Sequence, residues 1–83
     1  MIELKEAKII FNAGGLKEPK IINETLNNGW VILFEKKVSG KWVTDGYASR
    51  RSEDNKIFKD LRSAVNTIKN IGFNTVQIID LQK

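Results

Sequence analysis

The sequence predicts an α+β fold, in which a small antiparallel sheet carries one long helix packed on one face. The helix is indicated by residues 58–72, whose apolar side chains recur at helical spacing: Leu61, Ala64, Val65, Ile68 and Ile71. Strand character surrounds it, in residues 30–37 before the helix and residues 73–81 after it. Because an isolated helix of this length is marginal in water, its apolar stripe needs a sheet to cover.

The chain before Gly29 is harder to interpret. Within residues 2–12, the apolar run at 9–11 has strand character, and the Ala-Gly-Gly sequence that follows predicts a turn. Pro19 suits the first turn of a helix because its φ is fixed and it lacks an N–H. Residues 19–28 are therefore predicted to form a short helix, with a strand through Ile21 and Ile22 as the alternative.

The middle of the chain predicts a hairpin. Residues 30–37 are apolar on both faces near their start, which places this strand at the centre of the sheet. Ser39 and Gly40 form the turn, where Gly40 can take a positive φ, and residues 42–48 return antiparallel. The polar residues 49–55 are expected to form an exposed loop.

The last third completes a β-(α)-β-β-β-α-β order in a single domain, residues 1–83. Residues 56–58 are predicted to be a short strand leading into the long helix. Asp60 can cap the start of that helix, and Gly72 suits the position just past its end. We divide the domain into an N-terminal strand and short helix, residues 1–28, and a β-β-β-α-β core, residues 29–83.

The composition argues against catalysis and metal binding. Histidine and cysteine are absent, which removes the commonest general base, the commonest metal ligand and any thiolate ligand. Only Glu53 and Asp54 are adjacent among the carboxylates, and they lie in the expected loop. We therefore expect no enzyme activity, no cofactor and no small-molecule substrate. No apolar run is long enough to span a membrane, and the absence of cysteine fits a reducing cytoplasm.

The basic residues suggest a nucleic-acid partner. The net charge is +4, and residues 35–62 hold eight basic and five acidic side chains, so most of that charge lies in this third of the chain. Lysines and arginines at hairpin tips and loops can contact phosphates without reading sequence. Ordinary solubilising charge is the competing interpretation. The candidate nucleic-acid-binding residues are Lys36, Lys37, Lys41, Arg50 and Arg51.

The aromatic residues do not predict a platform for stacking several bases. With a turn at Ser39 and Gly40, Lys37 pairs with Trp42 and Phe34 with Asp45, so Trp42 and Tyr47 fall on opposite faces of their strand. A stacking platform needs several aromatics on one open face. Packing in the core or at a dimer interface is the preferred role for Trp42 and Tyr47.

The pattern resembles small proteins of bacterial plasmids and integrated mobile elements that are described as partition-associated or replication-associated. The resemblance covers residues 28–80 and involves positions that mostly determine the fold: Gly29, Trp30, Gly40, Trp42, Phe58, Leu61, Ala64, Gly72 and Phe73. It implies a cytoplasmic accessory protein of a mobile element that acts near DNA. No functional residue is implied by it.

Two functional hypotheses follow. The first is a small basic protein that binds nucleic acid, with DNA as the expected ligand, mainly through phosphate contacts. The alternative is a non-enzymatic protein-interaction module that works through a homodimer or a sheet edge. A homodimer is expected in either case, because a thin core without disulfide or metal would leave one apolar sheet face uncovered.

Overall fold

The computed structural model describes residues 2–24, 29–48 and 55–80, which form two helices and four strands. In chain order they are α1 (Leu4–Asn12), β1 (Leu16–Glu24), β2 (Gly29–Val38), β3 (Lys41–Gly46), α2 (Leu61–Ile71) and β4 (Gln77–Ile79). The predicted α+β class is confirmed. Among these residues no helix is long and apolar enough to cross a membrane.

The sheet is mixed rather than wholly antiparallel. Its strand order is β3-β2-β1-β4, so β2 is internal as predicted. The pairs β1–β2 and β2–β3 are antiparallel, but β4 lies parallel to β1. The prediction of an antiparallel sheet was wrong at β4 because α2 carries the chain across to the far side of β1, and such crossovers join parallel strands.

The N-terminal segment forms a helix, and the predicted strand at residues 9–11 was wrong. In α1, Ala7 is fully buried and Leu4, Ile10 and Phe11 pack against the core, whereas Ile9 is 63% exposed. The apolar run therefore spans two sides of a helix. The burial of its residues follows a helical period, but three adjacent apolar residues do not show this period in the sequence.

The predicted short helix at residues 19–28 was also wrong, and the alternative strand through Ile21 and Ile22 is confirmed. Both residues belong to β1, where they pair with Ile32 and Val31 of β2. Pro19 is accommodated at an irregularity, since the β1–β2 register shifts between Lys17 and Lys20. A bulge tolerates proline because no ladder hydrogen bond is required of its missing N–H. Residues 25–28 lie outside the described part of the chain.

The β2–β3 hairpin has the predicted register. Lys37 pairs with Trp42 and Phe34 with Asp45, and the turn residues Ser39 and Gly40 have φ values of 51° and 80°. Two consecutive positive φ values match the twist of the flanking strands, which is why a glycine suits this turn. Beyond β3, Tyr47 bridges to Ile2 and Ala48 to Asn55, and the Tyr47 N–H donates a hydrogen bond to the Ile32 carbonyl of β2 at 3.0 Å.

The strand predicted at residues 56–58 is reduced to a single bridge between Phe58 and Trp30. Each residue donates its N–H to the carbonyl of the other at 2.8 Å. The last strand is shorter than predicted, since only Gln77–Ile79 pair with β1. Residues 81–83 lie outside the described part.

The caps predicted for α2 are confirmed. The Asp60 carboxylate accepts a hydrogen bond from the backbone N–H of Ser63 at 2.8 Å. Gly72 follows the last helical residue with a φ of 133°, which strongly favours glycine. Phe58 and Ile68 are buried in the core, while Leu61 and Val65 of the predicted apolar stripe are half-buried against it.

One hydrophobic core joins both helices to one face of the sheet. Its sheet residues include Ile21, Ile32 and Phe34, each at most 1% exposed, and its helix residues include Ala64 and Ile68. The ends of the helical layer are closed by an edge-to-face contact between Phe11 and Phe73, with ring centroids 4.6 Å apart. Both described helices therefore lie on the same face of the sheet.

The core predicts the effect of truncating Ile68. Ile68→Ala should lower the free energy of unfolding by about 2–5 kcal/mol, because it removes fully buried methyl groups and leaves a cavity. Val65→Ala, at a half-buried position on the same helix, should cost less. Urea denaturation of both variants checks this, and equal losses would contradict the observed orientation of α2.

Candidate nucleic-acid interface

The sheet face opposite α1 and α2 carries neither of the described helices, and we call it the helix-free face. Side chains alternate along a strand, and cross-strand partners share a face. The register therefore assigns to the helix-free face a set of residues from three strands: Lys17, Lys20, Ile22, Val31, Leu33, Glu35, Lys37, Trp42 and Thr44. Side-chain contacts confirm this, since Lys17 contacts Trp42 and Thr44 contacts Glu35.

Two lysines converge on one tryptophan at this face. The Lys17 Nζ lies 4.1 Å from the centroid of the Trp42 ring, and the Lys37 Nζ lies 6.0 Å from the same centroid. Cation–π attraction stabilises an ammonium over an indole by about 0.5–1 kcal/mol at an exposed site. Two positive charges therefore lie beside one exposed ring at the surface.

The contact between Lys17 and Trp42 spans three strands. Trp42 pairs with Lys37 on β2, whereas Lys17 lies on β1, beyond β2. Neighbouring strands are roughly 4.8 Å apart, so β1 and β3 are separated by about twice that distance. The indole therefore reaches across β2 toward β1, and it is 38% exposed.

The remaining charged residues of this face carry both signs. Glu35 accepts a hydrogen bond from the Thr44 hydroxyl at 3.2 Å. Lys20, paired with Leu33, adds a third ammonium on the same face. Lys17 and Lys37 thus lie beside an exposed aromatic ring, an arrangement suited to an anionic ligand that also carries flat apolar groups.

The structure does not place all the predicted binding residues on one face. Lys37 lies on the helix-free face. Lys36 lies on the opposite face, where its Nζ is 2.8 Å from Asp45 Oδ2. Lys41 pairs with Val38, on the same side as Lys36. Arg50 and Arg51 lie outside the described residues. Their roles in binding stay predictions.

Lys17 and Lys20 were missed because residues 19–28, which include most of β1, were predicted to form a helix. As long as residues 19–28 were assigned to a helix, no strand could bring Lys17 beside Lys37. The alternative strand through Ile21 and Ile22 would have separated Lys20 from the core, since it places Lys20 on the face opposite to Ile21. The position of Lys17 depends in addition on the register shift at Pro19, which the sequence pattern does not indicate.

A surface cleft of about 430 Å³ adjoins the register shift in β1, lined by Glu18, Pro19, Lys20, Thr75, Val76 and Gln77. Lys20 and Gln77 are paired across the two strands, so the cleft lies beside the helix-free face. In the described part of the chain, no three side chains of the kinds that bind metals lie together.

Comparisons of this chain with protein-family models, with curated proteins and with solved structures found no match. The function must therefore be inferred from the geometry and charge of the chain itself.

The ion pair on the opposite face predicts a dependence of stability on pH. Burial raises the pKa of Asp45, but the hydrogen bonds that its carboxylate accepts, including those from Lys36 and the N–H of Gly46, together with the charge of Lys36, outweigh it, so the pKa is lowered in the folded protein. The folded chain then binds this proton less readily than the unfolded chain. The resulting stability should be present above about pH 4 and lost as the pH falls through the folded pKa.

Asp45→Asn should remove this contribution and flatten the acid side of the stability curve, and Lys36→Gln should flatten it in part. Thermal unfolding followed by circular dichroism from neutral to acid pH measures the effect. An unchanged acid slope in both variants would contradict the assignment to this pair.

Proposed function

We propose that this chain is a small, basic, non-enzymatic accessory protein that binds nucleic acid, with DNA as the expected ligand, mainly through phosphate contacts that do not read sequence. The observation that carries the proposal is the convergence of Lys17 and Lys37 on Trp42 at the helix-free face. The charge of the whole chain, +4, supports the same ligand class.

Two lysines held close together suit a polyanion with regularly spaced charges. A lysine ammonium acts as a flexible point charge, so it can follow phosphates without requiring one fixed geometry. When such a group neutralises a phosphate, condensed counterions are released, and binding weakens as salt rises. A site of this kind gives modest affinity and little sequence preference, which fits an accessory role.

We place Lys17, Lys20 and Lys37 at the centre of the proposed interface. Lys36 and Lys41 lie on the other side of the same hairpin and would contact a ligand that bends around its tip. Arg50 and Arg51 were predicted from the sequence to bind nucleic acid, and we keep them in the proposed interface. Lys36 contributes less net charge than its neighbours because Asp45 is paired with it.

The resemblance to partition-associated and replication-associated proteins of plasmids and integrated mobile elements supports the same proposal. It suggests that the chain acts in the cytoplasm, close to the DNA of such an element.

A charge-matched pair of double variants tests the interface. Lys17→Gln with Lys37→Gln should weaken binding to random-sequence DNA and reduce the slope of log affinity against log salt by about 1 per lysine. The control, Lys8→Gln with Lys69→Gln, removes the same charge from exposed positions on α1 and α2. Gel shifts over a range of salt concentrations measure both.

Equal losses in the two double variants would show that net charge, rather than the helix-free face, governs binding. No gel shift by the unmodified protein at low salt would contradict the proposed function itself.

The alternative function is a protein-interaction module that works through a sheet edge. Among the described residues, β3 and β4 are the edge strands, and each exposes a large apolar side chain, Val43 at 42% and Ile78 at 47%. On the helix-free face, by contrast, Val31 is buried and Leu33 half-buried. The exposed apolar surface thus favours pairing at an edge over stacking of two sheets.

A homodimer formed in this way should sediment at twice the chain mass of 9.5 kDa. Ile78→Lys should shift it toward the monomer, because a charged residue on an edge strand opposes pairing with another edge. Sedimentation equilibrium at micromolar concentration measures both proteins. A monomer mass for the unmodified chain would contradict the dimer and leave the nucleic-acid proposal unaffected.

A further inference from the structure

We infer that Trp42 stacks on an unpaired base while Lys17 and Lys37 hold the flanking phosphates, so that the preferred ligand is a single strand. This inference rests on the proposed function and names its ligand class more narrowly. It depends on three observations: the exposure of Trp42, the two ammonium groups beside its ring, and the position of all three on the helix-free face.

The exposure of Trp42 is the first step. The other tryptophan, Trp30, is half-buried and packs against the core, whereas Trp42 belongs to the helix-free face and is 38% exposed. Its contacts with Lys17 and Lys37 involve flexible side chains rather than a packed layer. An indole in this position can exchange a lysine for a base without disturbing the core.

The two lysines are the second step. Because both ammonium groups lie within 6.0 Å of one ring centroid, a base on the indole would bring its own sugar–phosphate backbone within reach of them. Each lysine has a four-carbon stem that can swing from the ring to a phosphate. One nucleotide thus provides both a base that stacks on the aromatic ring and a phosphate that the lysines contact.

The third step distinguishes a single strand from other anionic partners. In a duplex, the faces of the bases are covered by their neighbours, so a duplex would use the lysines but leave the indole without a partner. An acidic peptide without aromatic side chains would do the same. Every base has a π-face, so stacking on one tryptophan tolerates any sequence.

One aromatic side chain per chain limits the effect to one base. Stacking of a base on an aromatic residue changes affinity by about 5- to 150-fold. The missing multi-aromatic platform therefore does not oppose this inference, which assigns most of the affinity to phosphates and the preference for single strands to Trp42.

Fluorescence anisotropy with three probes tests the inference. The probes are an oligothymidylate, an abasic oligonucleotide of equal length and charge, and a duplex. The unmodified protein should bind the oligothymidylate about 5- to 150-fold more tightly than the abasic strand. Trp42→Leu should abolish that difference between the oligothymidylate and the abasic strand, while Trp42→Phe should retain part of it.

Tryptophan fluorescence provides a second measurement that does not depend on changing Trp42. Trp30→Phe leaves Trp42 as the sole tryptophan. Oligothymidylate should quench its emission, and the abasic strand at the same degree of saturation should quench it much less. Equal quenching by both probes would contradict stacking.

The outcomes distinguish base stacking on Trp42 from the proposed phosphate binding on which this inference rests. Equal affinity for the oligothymidylate and the abasic strand would overturn the stacking role and leave the phosphate contacts standing. No binding of any probe at low salt would overturn both. An oligouridylate probe, run alongside, shows whether the site distinguishes RNA from DNA.

Discussion

The pairing of β1 with β2 is the interaction on which the rest of the structure depends. Ile21 and Ile32 face each other across this pair, and both are fully buried beneath the helices. With Ile21 fixed on the helix side, Lys20 and Ile22 lie on the other face. The register shift at Pro19 then returns Leu16 to the core and Lys17 to the helix-free face. A slip by one residue would exchange these faces.

The same pairing separates the apolar and charged groups of a small chain. Both described helices cover one face and share one core, whereas the other face carries an exposed indole with Lys17 and Lys37 beside it. A chain of 83 residues buries a limited share of its surface. One face of its sheet can therefore stay exposed to water because it carries long charged side chains. The Lys17 ammonium group lies over the Trp42 ring on that face.

The sequence correctly predicted those features whose interacting residues lie close together in the chain. The residues of α2, its Asp60 cap and Gly72 end, and the hairpin register through Ser39 and Gly40 all followed from spacing and turn chemistry. The candidate site was recovered only in part. Lys37 was identified, but Lys17 and Lys20 were not, and Lys36 was grouped with Lys37 although the alternation of a strand separates them.

By itself, the sequence determined the α+β class, the internal position of β2, the long helix and the positive charge, because each depends on local periodicity or composition. Only the tertiary structure decided that residues 4–12 are helical and that residues 16–24 form a strand. Both segments are short and apolar enough to take either form, and the choice was made by burial against elements distant in the chain. The contact between Lys17 and Trp42 requires that residues 16–24 form a strand. It also depends on the register shift of one residue at Pro19, which no local sequence pattern indicates.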